Sequence, residues 1–202
     1  MDESDEDLLA RCQTGSIRAF ETLLHRYQPR VQRFLERQIG SLEDAKDITQ
    51  RTFLQVHSSL SRFQAGSRFS PWLFTIARRQ GIDFLRQAGS RRRVHEQLVK
   101  EPGLDGGADP HELLTQQEEV EAIWQWIREH LDERSTEILW LRIQEDLDLW
   151  GIAKVTNLSQ SNVKVLLHRA RKSLLKNFSV DGPGSSKNSS GTFASVAFQR
   201  LI

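Results

Sequence analysis

The chain contains, at positions 151–175, the sequence GIAKVTNLSQSNVKVLLHRARKSLL. This pattern predicts a helix-turn-helix, in which one helix supports a second that enters the major groove of DNA. Ala153 is small where the two helices must approach each other, and Asn157 falls in the turn. The turn needs a left-handed backbone, for which asparagine is the best residue after glycine. Ser159 is then placed to cap the second helix.

The predicted second helix has two different faces. Apolar residues recur at helical spacing from Val163 to Leu174 and turn the other side chains toward solvent. The outer face offers hydroxyl, amide, cationic and imidazole groups without a carboxylate, which suits base edges and phosphates. The alternative is a basic, solvated helix of an ordinary bundle. The outward-facing residues are Ser161, Asn162, Lys164, Val165, His168 and Arg171.

Helical periodicity runs through the rest of the chain without a convincing strand pattern, so the sequence predicts an all-α fold. Residues 4–7 and 41–44 both read Ser-x-x-Asp and resemble capping boxes at helix starts. Ser70 followed by Pro71 predicts a further helix start, because proline at the first helical position lacks only an amide that would be unpaired. Gly81 lies inside that helix at a cost of about 1 kcal/mol relative to alanine, so packing must hold the helix.

A stretch with little apolar surface, EPGLDGGADP at residues 101–110, predicts a linker between two small helical domains. The expected boundaries are residues 5–95 for the first domain, 96–117 for a flexible linker and 118–176 for the second domain. In residues 177–202 the composition shifts to Ser, Gly, Pro and Asn, which predicts a disordered tail.

Charged residues are unevenly distributed along the chain. The formal net charge is only +1, and acidic residues dominate the N-terminus. Two separate basic blocks predict two local contacts with phosphate and leave the acidic faces for another partner. The first block contains Arg78, Arg79, Arg86, Arg91, Arg92 and Arg93. The second contains Lys164, His168, Arg169, Arg171, Lys172 and Lys176.

Composition disfavours several classes of protein. Cys12 is the only cysteine, and the six histidines show no ligand spacing, so we expect neither a metal nor a cofactor. A glycine-rich phosphate loop and a nucleophile motif are both missing, so we expect no enzyme activity. No apolar run approaches the roughly 20 residues needed to cross a bilayer, and the first residues are acidic, unlike a signal sequence. We therefore expect a cytoplasmic protein without direct membrane insertion.

Further motifs accompany the helix-turn-helix in a fixed order. They are EDAKDITQRTFLQV at residues 43–56, WLFTIAR at 72–78 and LWLRIQE at 139–145. Together with residues 159–174 they resemble the extracytoplasmic-function (ECF) sigma factors of the sigma-70 family, over roughly residues 5–176. The resemblance implies a factor that binds core RNA polymerase and directs promoter recognition and DNA opening for transcription initiation.

The resemblance also implies three groups of contact residues. Polymerase would be bound by Asp44, Asp47, Thr49, Gln50 and Gln55. An unstacked base of the minus-ten element and its strand would be held by Phe63, Ser67, Arg68, Phe69, Ser70, Trp72, Arg78, Arg79 and Arg86. The minus-thirty-five duplex would be contacted by Ser161, Asn162, Lys164, Val165, His168 and Arg169, with Arg171 and Lys172 on phosphates.

These assignments have alternatives. The polar face of residues 43–56 is equally that of an ordinary solvated helix, and Trp72 suits a core position as well as a base contact. Arg79 replaces an asparagine found in many relatives of the family, which affects the choice of captured base. Gly151 replaces a common glutamate, which weakens the supporting helix.

Two other functions fit parts of the sequence. A stand-alone helix-turn-helix regulator would need neither an aromatic melting loop nor an acidic docking helix, and a protein-interaction adaptor would need neither basic block. The partners implied by the resemblance are core RNA polymerase, promoter DNA and an anti-sigma factor. The apolar end of the tail, residues 193–202, permits a regulatory docking helix as an alternative to a disordered end.

Overall fold

A computed structural model describes residues 3–64, 66–96 and 116–181. In these ranges all regular structure is helical, which confirms the predicted all-α fold. In chain order the helices are α1 (Asp5–Gln13), α2 (Ile17–Ile39), α3 (Leu42–Ser59), α4 (Phe69–Glu96), α5 (Gln116–His130), α6 (Glu133–Ile143), α7 (Leu149–Thr156) and α8 (Gln160–Asp181), with a 3-10 turn at Leu60–Arg62 between α3 and α4.

The helices form two compact units. The first contains α1–α4 and the second contains α5–α8, apart from residues 154–156, which group with the first. The predicted linker and tail, including the apolar end at residues 193–202, lie mostly outside the described residues. α5 begins at Gln116, within the range predicted for the linker, and α8 continues past residue 177 to Asp181. Helix-breaking glycine and proline follow Asp181 directly in the sequence.

Serine caps begin the first three helices of the first unit. Ser4 and Ser41, both predicted, accept hydrogen bonds of 3.1 and 3.3 Å from the backbone amide three residues on. Ser16 caps α2 in the same way. α2 ends at Ile39 and is followed by its C-cap Gly40, whose φ of +79° lies in the left-handed region that glycine adopts without strain. A serine at the N-cap of a helix contributes about 1 kcal/mol of stability relative to alanine.

The first unit has an apolar core to which all four of its helices contribute. Edge-to-face aromatic pairs join α2 to α4, with ring centroids 5.3 Å apart for Phe34 and Phe74 and 5.1 Å apart for Tyr27 and Phe69. The side chains are close-packed, so a large-to-small change in this core is expected to leave a cavity. Other buried members are Leu8, Leu23, Val31, Leu35, Ala45, Ile48, Val56 and Leu73.

Gly81 marks a close approach of α4 to α2. A Cβ atom at this position would lie 2.3 Å from Gln38 Oε1 and 3.1 Å from Leu35 Cδ2. The packing of two helices therefore explains a glycine that the helix itself disfavours. The prediction that this helix is held by packing agrees with that contact.

The start of α4 differs from the prediction. The helix begins at Phe69, so Pro71 is its third residue and Ser70 lies inside the first turn. The Ser70 hydroxyl is buried and makes no hydrogen bond, and it does not act as the cap. Pro71 is still compatible with the helix, because amides of the first turn have no intrahelical partner.

The second unit has a tryptophan-rich core. Trp124 on α5 packs against Trp140 on α6, with 4.8 Å between ring centroids. α6 is capped by Asp132 and α7 by Asp148. Each carboxylate accepts a hydrogen bond from the backbone amide three residues on. Other buried members are Ile127, Ile138, Leu139, Leu141, Ile152, Val163, Ala170 and Leu174.

In the part of the chain that the structure describes, no helix is both long and apolar enough to span a membrane. Residues 3–64, 66–96 and 116–181 also bring no three His, Cys, Asp or Glu side chains together where they would hold a metal ion. Cys12 is buried in the core, and that burial raises the pKa of its thiol. A thiol in such surroundings is an inert packing group.

Candidate nucleic-acid and polymerase interfaces

The turn between α7 and α8 has the geometry predicted for a helix-turn-helix. Asn157 has φ 55° and ψ 43°, which confirms the left-handed conformation predicted for it. Asn157 and Leu158 both donate backbone hydrogen bonds to the Ala153 carbonyl, and the second of these is 3.0 Å long. The Ser159 hydroxyl accepts the Asn162 amide at 3.2 Å, so Ser159 caps α8 as predicted. These contacts fix the direction in which α8 leaves the turn.

The two faces of α8 are separated as the sequence predicts. Val163, Ala170 and Leu174 are buried against α5 and α6, and no acidic residue occurs between positions 160 and 177. A basic outer face with free side chains is the arrangement that contacts bases and phosphates. Arg171 is half-buried. Of the predicted contact residues, those that are exposed are Ser161, Asn162, Lys164, Val165, His168, Arg169 and Lys172.

The support of α8 includes residues that sequence reasoning missed. Ser173 on α8 donates a 3.5 Å hydrogen bond to the backbone carbonyl of His130 at the end of α5. Arg142 donates to the Leu147 carbonyl at 2.9 Å and so closes the loop between α6 and α7. Asp146 in that loop has a φ of 51°. Aspartate tolerates this conformation better than most residues. That tolerance was the only feature of the sequence that could have indicated the left-handed residue in this loop.

Three aromatic rings stand together where α4 begins. The ring centroids of Phe63 and Trp72 are 4.9 Å apart, and those of Phe69 and Trp72 are 6.0 Å apart. We call Phe63, Phe69 and Trp72 the aromatic cluster. Trp72 is half-buried and presents part of its ring to solvent, whereas Phe63 is 9% exposed and Phe69 only 1% exposed.

The burial of Phe69 corrects its expected role. Because α4 begins at Phe69, its ring points into the core and packs edge-on against Tyr27. A ring in this position packs against Trp72 from the core side and has no face available for stacking on a base. Phe63 is nearly as buried and acts chiefly as the other support. The predicted loop and cluster therefore contain one partly open ring, that of Trp72.

The polar residues predicted for the minus-ten contact lie around this cluster and along α4. Gly66 has a φ of +83° in the tight turn before α4, in which the Ser67 amide donates to the Gln64 carbonyl at 3.1 Å. Arg68 is exposed, Ser67 is half-exposed and the Ser70 hydroxyl faces inward. The loop thus brings Ser67 and Arg68, but not Ser70, to the surface.

The arginines of α4 form a partly neutralised strip. Arg79 and Arg86 have side chains 79% and 77% exposed, and Asp83 lies between them at 3.9 and 3.5 Å. Arg78 is half-buried. Exposed ion pairs of this kind are weak and screened by salt, so the two exposed arginines can exchange Asp83 for a phosphate. Asp83 was not predicted as part of this surface.

The α3 face proposed for polymerase is only partly as predicted. Asp47 and Gln50 are exposed, Asp44 is half-buried, and Gln55 accepts a hydrogen bond from Gln80. Thr49 is the exception, since it is 1% exposed and its hydroxyl donates to the Ala45 carbonyl at 2.7 Å.

Thr49 therefore belongs to the buried face of α3 and not to its polar face. The physical reason is its spacing, because a residue four positions after the buried Ala45 lies on the same side of a helix. Sequence reasoning missed Leu54, which is 72% exposed. Leu54 follows Asp47 and Gln50 at seven and four residues, so helical spacing alone places it on their face.

Comparisons with known proteins agree with this geometry. The family model for Sigma-70 region 2 matches residues 23–91, and that for Sigma-70 region 4 matches residues 129–174. The RNA polymerase sigma factor YlaC of Bacillus subtilis is 30% identical over 161 residues, 79% of this chain and 91% of YlaC. The ECF RNA polymerase sigma factor SigW of the same organism is 26% identical over 169 residues, 80% of this chain and 90% of SigW.

A solved structure is similar in fold. The sigma factor RpoE from Bartonella quintana, determined in complex with the anti-sigma factor NepR, superposes with a TM-score of 0.62 at 21% identity, covering 82% of this chain and 99% of RpoE. The two helical units are regions 2 and 4 of a transcription initiation factor. The chain belongs to the ECF group of the sigma-70 family. Its function is that of an alternative sigma factor in promoter recognition.

Proposed function

We propose that the two units divide promoter recognition between them. The first, residues 5–95, binds core RNA polymerase and opens the minus-ten element, and the second, residues 118–176, reads the minus-thirty-five duplex. The single observation that supports this division best is the outer face of α8, which is exposed, basic and free of acid, on a helix fixed by the Asn157 turn. A factor that only held polymerase would need no such face.

On the minus-thirty-five element, α8 enters the major groove with its N-terminal half. Ser161, Asn162 and Lys164 lie in the first turn and a half, from which side chains of a recognition helix reach base edges. Val165 offers an apolar contact to a thymine methyl group, and His168 a ring nitrogen. Arg169, Arg171 and Lys172 lie further along the helix and neutralise phosphates.

On the minus-ten element, Trp72 supplies the stacking surface for an unpaired base. Phe63 and Phe69 hold its ring from two sides. Stacking on an aromatic side chain contributes about 1–3 kcal/mol per base, which is comparable with the few kcal/mol needed to unstack one. Ser67 supplies a polar contact beside the ring. The cations that follow the strand backbone are Arg68, Arg78, Arg79 and Arg86.

On polymerase, the α3 face made of Asp44, Asp47, Gln50 and Gln55 meets the clamp helices of the largest subunit. The exposed Leu54 gives this polar face an apolar centre. Interfaces commonly combine a buried apolar anchor with a polar rim, so Leu54 is the residue whose loss should weaken binding most. Thr49 acts from within, by packing α3 against its own unit.

An anti-sigma factor is the proposed regulator. RpoE, which has a similar fold, is bound by the anti-sigma factor NepR in its solved structure. A partner that covers α3 would compete directly with polymerase. We further propose that the chain acts without enzyme activity of its own and, as a partner of RNA polymerase, in the cytoplasm.

Run-off transcription with purified bacterial core polymerase tests the proposal. Pooled fragments of the source genome are transcribed with and without this protein. We expect new discrete transcripts that Asn162→Ala and Lys164→Ala diminish. Arg128→Ala, which removes an exposed cation of α5, should leave them unchanged. Absence of transcripts, together with tight specific binding of the free protein to duplex DNA, would instead indicate a stand-alone helix-turn-helix regulator.

A further inference from the structure

The last residue of α1 is tied to the loop that precedes the aromatic cluster. Gln13 donates from its Nε2 atom to the carbonyl of Leu60 at 3.0 Å and to the carbonyl of Phe63 at 2.9 Å. The Phe63 amide also donates to the Leu60 carbonyl, at 3.1 Å. One side chain therefore closes the 3-10 turn and fixes the backbone of the first residue in the cluster.

Gln13 can hold the loop because α1 is itself fixed. Leu8 and Leu9 are buried in the core of the first unit. At its other end, α1 presents Asp5 to α2, where the carboxylate accepts hydrogen bonds from Arg26 and from the Tyr27 hydroxyl. α1 is thus anchored at both ends. Motion of the loop relative to α1 would break the hydrogen bonds from Gln13 to the Leu60 and Phe63 carbonyls.

The Asp5 contact leads to the same cluster by a second route. The Tyr27 ring packs edge-on against Phe69, which in turn lies beside Trp72. Burial, together with the bond to Asp5, raises the pKa of the Tyr27 hydroxyl above its ordinary value, so the hydroxyl keeps its proton and its bond to Asp5 well into the alkaline range. Phe63 is therefore held through its backbone and Phe69 through its ring, and both supports of Trp72 are connected to α1.

We propose that Gln13 is a positioning residue for base capture at the minus-ten element. It touches no DNA itself and acts through Phe63, whose ring sets the angle and the exposed face of Trp72. This inference rests on the proposed function of the aromatic cluster. It adds to that function a residue from a helix outside the loop and outside α4.

The test uses the holoenzyme formed with core polymerase and the Gln13→Met variant, which keeps the length of the side chain and removes its donors. Gln28→Met makes the same change at an exposed position of α2 and serves as the control. Single-stranded minus-ten oligonucleotides are used intact and with each base removed in turn. In the wild-type complex, one abasic position should weaken binding strongly and so identify the captured base.

Gln13→Met should lower affinity for the intact oligonucleotide about tenfold, the factor expected for the loss of one or two ordinary hydrogen bonds. Affinity for the oligonucleotide lacking the captured base should be unchanged, because that complex makes no use of Trp72. Polymerase affinity should stay within about twofold, since α3 is not altered. A general loss of stability would lower all of these affinities together.

Exchange of backbone amides gives a readout without DNA. The Phe63 and Ser67 amides are hydrogen-bonded in the loop, and both should exchange faster in Gln13→Met than in Gln28→Met. Equal capture by Gln13→Met and wild type would overturn the role of Gln13 and leave the proposed function standing. If the wild-type complex showed no abasic effect at any position, base capture itself would be refuted, and the role of Gln13 with it.

Discussion

The side chains proposed to contact DNA on α8 stand outside the core, whereas the rings proposed to capture a base in the first unit are largely core themselves. Asn162, Lys164 and His168 are exposed, but Phe69 is 1% exposed and packs on Tyr27. Reading a duplex needs only a rigid helix with a chemically suitable face. Holding an unstacked base needs an apolar surface, and the nearest large apolar surface in a small domain is its core.

The difference has a consequence for how the two units respond to mutation. On α8, folding depends on Val163, Ala170 and Leu174, and recognition depends on other residues. In the first unit, the supports of Trp72 contribute to both. Effects on stability and on DNA binding should therefore separate cleanly in the second unit and remain joined in the first.

The largest expected effect is that of Phe69→Ala. Removing a fully buried phenylalanine typically lowers the free energy of unfolding by about 3–5 kcal/mol. Urea unfolding of the full chain, with amide exchange to assign the loss to α1–α4, measures this change. Val165→Ala on α8 is the contrasting variant and should stay within about 0.5 kcal/mol. A Phe69→Ala protein of normal stability that failed only in promoter opening would show that the ring is exposed in solution.

The next effect concerns which α8 residues read sequence. Asn162→Ala should lower discrimination at one base pair of the minus-thirty-five element by about 1–3 kcal/mol. Arg171→Ala should weaken binding to all sequences alike and reduce the salt dependence by about one counterion. Holoenzyme binding is measured on promoters with each base pair changed in turn, at several salt concentrations. If Asn162→Ala instead weakened binding to all promoters equally, Asn162 would contact the DNA backbone and not a base.

A smaller effect is expected at the turn that aims α8. In Asn157→Val a β-branched residue would occupy φ 55°, and the left-handed conformation costs such residues about 1–2 kcal/mol. Asn157→Gly should be neutral to within a few tenths, since glycine adopts this region freely. Thermal unfolding measures both. Asn162→Val makes the same change at an exposed helical position and should shift the midpoint little, and a similar loss from both valine variants would argue against strain at the turn.

The residues that sequence reasoning placed correctly share a local cause. Ser41 and Ser159 cap helices because a hydroxyl reaches an amide three residues away, and Asn157 adopts its turn because few other residues tolerate it. Such signals need no knowledge of the rest of the chain. The all-α fold followed from periodicity for the same reason.

The residues placed wrongly or missed depend on distant parts of the chain. Phe69 faces the core because α4 begins one residue before Ser70, and this start is settled by packing on Tyr27. Gln13 lies 47 and 50 residues from the carbonyls to which it donates, so no local sequence pattern could indicate these hydrogen bonds. Thr49 differs from both, since its spacing from Ala45 already indicated a buried position, and the family resemblance outweighed that spacing.

The smallest effect compares an aspartate cap in the second unit with a serine cap in the first. Serine hydroxyls begin α1, α2 and α3, whereas Asp132 begins α6. Burial alone would raise the pKa of the Asp132 carboxyl, but it accepts hydrogen bonds from the Ser135 hydroxyl at 2.7 Å and amide at 2.9 Å. These bonds outweigh burial and hold the pKa below its usual value.

A carboxyl with a lowered folded-state pKa stabilises the protein above its unfolded-state pKa of about 3.9 and loses that contribution as pH falls through the folded-state pKa. Asp132→Asn keeps a cap but removes the charge. It should be less stable than wild type by about 0.3–1 kcal/mol at pH 7, and this difference should shrink as pH falls below the unfolded-state value of about 3.9. Urea midpoints of both proteins between pH 7 and pH 3 measure it.

Ser41→Ala is the matched change in the first unit, and its loss of about 1 kcal/mol should be the same at every pH at which the protein folds, because a hydroxyl does not titrate. If the stability losses of Asp132→Asn and Ser41→Ala instead decreased together in acid, the cause would be a property of the whole chain and not the charge of Asp132. Independent behaviour would show that acid weakens the unit proposed to read the minus-thirty-five element through the Asp132 cap, in contrast to the serine caps of α1, α2 and α3.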